Sequence, residues 1–470
     1  ADQGRGRVAH DRAPRRRGQR DRLPVALHPP HPGGRRSRRR GHGHGDRRPP
    51  RRRGPHRAIR PQGGLRRSDR ARQSAAAGGL RVTETTSGEH TGADLAVDTP
   101  FSELTTMRVG GPADHLIEAR SSDELVRAAL QLWEYDDPWL LLGGGSNTVM
   151  ADEGFEGTAV LVRNTGIERI DAEPGTVRLR VQAGHNWDEL VETCVEHGWA
   201  GIEALSGIPG LAGAAPVQNI GAYGQELSDV LHSITFLDRE IGEVLRIPAE
   251  ELELDYRSSS IKSGREGVVL SIDLLLTESE DTANPLSAPI AYGQLADALG
   301  VTVGDRVSIR ELRRSVLRLR ASKGMVLDAA DHDTWSAGSF FTNPIITERS
   351  ARGLPANAPR FPVKGLEPAP AVTTFEELEA GVPLRVPPTP QPPQVKLSAA
   401  WLIENAGIPK GFRIPGSGAS ISEKHTLAIT NRGAATAEDV AQLARFVIQL
   451  VQSEFGVILV PEPNLIGIEL

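Results

Sequence analysis

Two places in the sequence offer backbone that could hold an anion. In Gly143–Gly144–Gly145–Ser146–Asn147, directly after the apolar run Pro138–Leu142, successive N–H groups can converge on phosphate oxygens because no side chains obstruct the approach. Ser146 and Asn147 add further donors. About sixty residues on, Gly207–Gly224 (GIPGLAGAAPVQNIGAYG) is rich in Gly and Ala and almost without charge, a composition that lets backbone come close to a partner. Either segment alone reads equally as tight turns. Two of them, each flanked by strand-like text, suggest one extended anion between them. The spacing is not G-x-G-x-x-G and no Walker lysine follows, so neither a Rossmann nor a P-loop site is expected. The single cysteine, Cys194, excludes a disulfide framework and a Cys-only zinc site. Nothing nearby would make it a thiolate, so core packing is its expected role.

The elements that must position these loops are written in the periodicity. Ser121 stands before Asp123, Glu124 and the apolar positions Leu125, Ala129 and Leu132, which predicts a capped helix. Pro138–Leu142 and Thr158–Val162 read as buried strands, and Val177, Leu179 and Val181 alternate as a half-exposed one. Asn186 is placed to cap a helix running through His197 to Gly198, with Leu190, Val191, Cys194 and Val195 on one face. Strands are expected at His232–Leu237 and Val268–Leu276, and helices at Ile309–Arg320 and Leu397–Asn405. Thr436 and Asp439 open a last helix whose apolar face is Val440, Leu443, Val447 and Leu450. Gly456–Val460 reads as a closing strand. Arg352–Pro393 is Pro-rich and aperiodic, an expected surface excursion.

Charge divides the chain. The 470 residues carry 55 Lys+Arg and 60 Asp+Glu, yet residues 1–81 hold 25 Arg, no Lys, 5 Asp and no aromatic residue. Such a segment buries too little apolar surface to offset its ordering entropy and is read as disordered. Arg clusters neutralise phosphates, so a nucleic-acid-binding arm is one reading of it. Exclusive use of Arg fits translated upstream sequence better, with a native start expected near Val82. No apolar run has transmembrane length, and the start lacks the apolar stretch of a secretory signal, which leaves the cytoplasm as the expected address.

Seven motifs in register carry a resemblance. Thr106–Ala113 (TMRVGGPA), Leu142–Val149 (LGGGSNTV), Gly207–Gly224, Asp255–Lys262 (DYRSSSIK), Gly338–Pro344 (GSFFTNP), Lys396–Ala406 (KLSAAWLIENA) and Val460–Gly467 (VPEPNLIG) resemble, in order, the UDP-N-acetylenolpyruvoylglucosamine reductase family of peptidoglycan-synthesis flavoenzymes. The resemblance implies an α+β chain with a two-part FAD-binding domain of the vanillyl-alcohol-oxidase type over 100–285. A C-terminal α+β substrate domain over 286–460 and a catalytic segment at 461–470 complete it. It implies noncovalent FAD on Gly143, Gly144, Gly145, Ser146, Asn147, Gly207, Gly210 and Gly213, since no His lies in the first loop to tether it. NADPH is the implied reductant, and alternate use of one pocket implies ping-pong kinetics.

The implied reaction reduces an enolpyruvyl ether to a lactyl ether, which requires stabilised charge on the carboxylate side and a proton at the adjacent carbon. By the resemblance, Arg257 pairs with the substrate carboxylate, and a protonated Glu462, stiffened between Pro461 and Pro463, donates to the developing charge. Ser339 gives the proton. Tyr292 and Lys323 contact the substrate diphosphate, and Asn343 orients the substrate. Thr342 stands where some relatives have Lys. The implied partner is a small nucleotide-sugar, with no membrane, no nucleic acid beyond the basic start, and a monomeric enzyme. A flavin-dependent sugar or alcohol oxidase on the same fold is the alternative enzyme reading; Ser339 with Glu462 suits reduction better.

Overall fold

The computed structural model describes residues 99–135, 137–279, 281, 284–363 and 392–470. The Arg-rich start (1–81) and residues 364–391 of the Pro-rich excursion lie outside the described residues.

The first sheet is parallel and three-stranded, with Phe155–Val162 between Ala113–Ala119 and Trp139–Leu142. The helix Ser122–Tyr135 lies on it through Leu125, Ala129 and Leu132. Its first turn is capped as the pattern predicts, the Glu124 amide donating to Ser121 Oγ, while the Glu124 carboxylate accepts from the Arg120 amide. Trp139–Leu142 differs from expectation. It is an edge strand and only Leu142 is buried, Leu141 being 37% exposed. Its function in the fold is to deliver the glycine loop that follows.

The second sheet is antiparallel. Glu243–Pro248, Leu231–Asp238, Gly267–Glu278, Thr176–Gln182 and Ile167–Ile170 lie in that order, and Trp199–Ala200 pairs beside Gly267–Glu278. Val177, Leu179 and Val181 alternate inward as read from the sequence. The helix Trp187–His197 packs on that core, capped by Asn186 Oδ1 and closed by Gly198 in the left-handed region. Cys194 is fully buried on it, and burial pushes its thiol well up, away from reactivity. The edge strand Glu243–Pro248 went unread: it is short, ends in Pro and leaves Val244 exposed, so it has neither full burial nor clean alternation. The helices Gly293–Leu299 and Ile309–Ser322 pack through Leu295, Leu312 and Val316 on Ala204.

A third core gathers Phe340, Phe341, Leu397, Leu402, Ile403 and the inner face of the capped helix Ala437–Phe455. Met107, Val109 and Val149, from the opposite end of the sequence, belong to it too. Gly456–Val460 forms no ladder. Its alternation is real, Val457 and Leu459 being buried in the third core and Ile458 and Val460 exposed, and its backbone is met where Thr342 donates its amide and hydroxyl to Val460 O, next to the Phe341–Pro461 bridge. The chain end then returns, and Asn464–Ile466 pairs in parallel with Thr148–Met150. Among the described residues no helix is long and apolar enough to cross a membrane.

Candidate active site

The two glycine-rich segments touch. A Cβ on Gly144 would stand 3.0 Å from Gly210 Cα, and Ser146 Oγ donates to Pro209 O at 2.9 Å. They form the floor of a cleft of about 420 Å³. Among the described residues, none supplies a hydrogen-bond acceptor to the amides of Gly144, Gly145, Ser146 and Asn147. Four consecutive unsatisfied donors beside a cleft suit the diphosphate of a dinucleotide, so the cradle fits FAD on this chain's own geometry. Gly145 is irreplaceable for a local reason. It sits at φ +61°, and a Cβ there would lie 2.3 Å from Leu104 O. Gly145→Ala is expected to destabilise the protein by about 2 kcal/mol and to weaken FAD retention, read by thermal melting and by flavin absorbance after gel filtration.

Three further stretches converge on the same cleft. Gly338–Thr342 is anchored by Phe340 and Phe341, both buried, each contributing about 2 kcal/mol by its apolar area. On one side the Phe340 amide donates to Leu427 O at 2.8 Å; on the other the Glu462 amide donates to Phe340 O at 2.9 Å. Ser339 is thereby fixed between the 425–427 turn and the chain end. Glu462 is tied also to the first glycine loop, since Asn147 Nδ2 donates to its carbonyl at 3.3 Å and the Asn464 amide donates to Asn147 O at 2.9 Å. Arg257, at φ +53°, is held in a conformation rare for a side-chain-bearing residue. Its guanidinium donates to Gly221 O at 2.8 Å and Asn219 O at 3.2 Å, both in the second glycine segment, and its Nε lies 3.5 Å from Glu462 Oε1. Arg257, Ser339 and Glu462 all line the cleft, 205 positions separating the first from the last in sequence.

Burial is the largest influence on Glu462 and raises its carboxyl above the ordinary range, although Arg257 and Lys262 pull it down. A group this enclosed keeps its proton more readily than a free Glu, as a hydrogen-bond donor to a developing charge must. Arg320 also lines the cleft, donates to Met325 O at 3.1 Å and leaves its buried Nε without a partner among the described residues.

The other sequence-derived positions fall in different places. Gly143, Gly210 and Gly213 line the cleft, but a Cβ on Gly213 would meet Ala183 at 2.5 Å, so its smallness serves packing against the sheet end. Gly207 stands off the cleft, donating its amide to Asp188 Oδ1 at 2.6 Å and facing Leu317 and Arg320. Asn343 is also off it: its Oδ1 accepts the Ala399 amide at 3.0 Å and steadies the start of the helix Ala399–Asn405. Tyr292 and Lys323 form a neighbouring cluster. Tyr292 meets Tyr223 edge-on at 5.8 Å, and Lys323 Nζ lies over the Tyr223 ring and donates to Gln294 Oε1 at 3.1 Å. Burial, then Arg320 and Lys410, hold the Lys323 amine below its usual range, so three cations share this neighbourhood.

Sequence reasoning missed Arg320, Lys410 and His425. Arg320 was visible beside Lys323 in RASK but read only as a helix end. His425 Nε2 lies 3.3 Å from Ser339 Oγ, and no spacing in the sequence announces it.

Two glycine-rich segments, one following the parallel sheet and one beside the antiparallel sheet, meet along a cleft that Arg257, Ser339 and Glu462 also line, an arrangement that belongs to an FAD-binding oxidoreductase. The comparisons agree. Residues 113–248 match the FAD binding domain family, and residues 330–466 match the C-terminal domain of UDP-N-acetylenolpyruvoylglucosamine reductase. The chain is 60% identical over 375 residues to the UDP-N-acetylenolpyruvoylglucosamine reductase of Leifsonia xyli, covering 79% of this chain and 98% of that one. It is 44% identical to that of Salinispora arenicola, covering 82% and 98%. Among solved structures it is similar in fold to UDP-N-acetylenolpyruvylglucosamine reductase from Thermus caldophilus, with TM-score 0.50 and 24% identity over 78% of this chain and 97% of that one. The chain belongs to the UDP-N-acetylenolpyruvoylglucosamine reductase family.

Proposed function

We propose that this chain is an FAD-dependent, NADPH-consuming reductase that converts UDP-N-acetylglucosamine enolpyruvate to UDP-N-acetylmuramate for peptidoglycan synthesis, working in the cytoplasm as a monomer. The observation that carries this reading is the convergence of Arg257, Ser339 and Glu462 on one cleft floored by both glycine segments. When bound, FAD supplies the two-electron relay between NADPH and the enolpyruvyl double bond. Gly143–Asn147 and Gly210 would hold its diphosphate through backbone donors.

The protein's own groups do the rest. Arg257, pre-aimed by two carbonyls, pairs with the substrate carboxylate and favours its enolate-like form. Glu462 in its neutral form donates a hydrogen bond to the same charge. Ser339 gives its hydroxyl proton to the carbon next to the carboxylate. Arg320, Lys323 and Lys410, with Tyr292 beside them, form the cationic wall that receives the substrate diphosphate. In this reading residues 100–285 hold the flavin and 286–460 the substrate. The helices Gly293–Leu299 and Ile309–Ser322 pack on Ala204, and Lys323 follows the second of them directly.

The purified protein with FAD is expected to be yellow, to bleach with NADPH and to regain colour on addition of UDP-N-acetylglucosamine enolpyruvate. Bleaching without recolouring by this substrate would remove the assignment while leaving a flavoprotein.

A further inference from the structure

Among the described residues the Ser339 hydroxyl has one side-chain neighbour within hydrogen-bond distance, His425, and it is not among the residues the sequence pointed to. We propose that His425 is the positioning residue of Ser339: from 3.3 Å its Nε2–H donates to Ser339 Oγ, turns the hydroxyl proton into the cleft and steadies the oxygen once that proton has left. This rests on the reading of Ser339 as proton donor.

The argument begins with how the ring is held. The His425 amide donates to Ser422 Oγ at 3.1 Å and its carbonyl accepts the Ala428 amide at 3.0 Å. The Phe340–Leu427 backbone bond then locks this turn against the segment bearing Ser339. The charges facing the ring are Lys323, Lys410 and Arg320 on one account and Glu404 on the other. Burial first, and then the three cations, hold the imidazole down to about 4, with Glu404 opposing, so the ring is neutral at physiological pH. A neutral imidazole has one N–H. If Nε2 accepted from Ser339, the hydroxyl proton would be committed to the ring and aimed away from substrate. With the proton on Nε2, the hydroxyl proton is free and an N–H dipole points at the oxygen where negative charge develops. In the step itself the Ser339 O–H bond breaks, a C–H bond forms on the substrate, and the electron pair stays on Oγ. Water restores the proton after product leaves. The same three cations that would receive the diphosphate thus keep His425 from becoming an acid and stabilise the transient alkoxide.

The test uses the full chain with FAD and separates the two half-reactions by rapid mixing. His425→Leu is expected to slow reoxidation by saturating UDP-N-acetylglucosamine enolpyruvate about 100-fold, the loss typical of one donor to a developing oxyanion, with NADPH-driven bleaching unchanged. His425→Gln, which retains an N–H donor, should restore most of that loss. In a Ser339→Ala background His425→Leu should add almost nothing, because the two act as a unit. An undiminished 100-fold loss in that background, or unimpaired reoxidation in His425→Leu, would overturn the proposal. If Ser339→Ala alone left reoxidation intact, the Ser339 reading would fall first. Independently of any variant, 15N-histidine spectra of the holoprotein should show the Nε2-protonated tautomer; the Nδ1-protonated one contradicts the assignment.

Discussion

Ser339→Ala is expected to slow flavin reoxidation by the enolpyruvyl substrate about 10³-fold, the scale of a lost general acid, and to leave NADPH-driven bleaching essentially untouched. The asymmetry follows from position. Ser339 is held by backbone bonds that do not involve its hydroxyl, Phe340 N to Leu427 O and Glu462 N to Phe340 O, so removing the oxygen leaves the cleft wall in place. The floor that binds the cofactor comes from other segments altogether. Stopped-flow absorbance at the flavin band reads both halves in one preparation. Equal loss in both halves would mean that Ser339 shapes the flavin site and does not supply a proton.

Removal of Glu462 should be as damaging, with a pH signature that Ser339 lacks. Glu462→Ala is expected to lose about 10³-fold in the same half-reaction, and Glu462→Gln, which keeps a neutral donor, markedly less. The folded protein raises this carboxyl, by burial before all else. The wild-type rate should therefore fall on the alkaline side as pH rises through the folded-state value, and Glu462→Gln should show no such limb. Stability moves in a linked way. A group whose folded value exceeds its unfolded one contributes stability that is fully present below the unfolded value and is lost as pH rises through the folded value. Ionised Glu462 is then a burden on the native state at higher pH, so the Gln variant should melt above wild type there, and the gap should close toward acid pH. Calorimetry across that range checks it. A gap that widened toward acid pH would show that Arg257 and Lys262 outweigh burial.

These two residues also show where sequence reading stops. Glu462 between two prolines, Ser339 before Phe340 and Phe341, and Arg257 in DYRSSSIK are noticed only because whole motifs resemble a family. Individually each would pass for a solvated side chain or a turn. Local structure was different. The Asn186 cap, the Gly198 stop, the Thr436–Asp439 capping box and the inward alternation of Val177, Leu179 and Val181 all stand in the structure where periodicity puts them. The differences lie at edges: Pro138–Leu142 reads as a buried strand but leaves Leu141 exposed, the edge strand Glu243–Pro248 has no expectation set against it, and strand-like Gly456–Val460 forms no ladder.

By itself, then, the sequence determined what depends on residues a few positions apart: helix caps, strand alternation, the glycine loops and the apolar faces. Short-range hydrogen bonds and side-chain periods of two or 3.6 residues leave a direct trace in composition and spacing. Tertiary structure alone decided which distant groups share the cleft. The partnership of Ser339 with His425, the closeness of Arg257 to Glu462 and the clustering of Arg320, Lys323 and Lys410 arise from pairings such as Phe340 with Leu427 and Phe341 with Pro461. Contacts across 86 positions, as between Ser339 and His425, to 205, as between Arg257 and Glu462, are fixed by the packing of whole cores, and the proton affinities of Glu462 and His425 are set by how deeply that packing buries them.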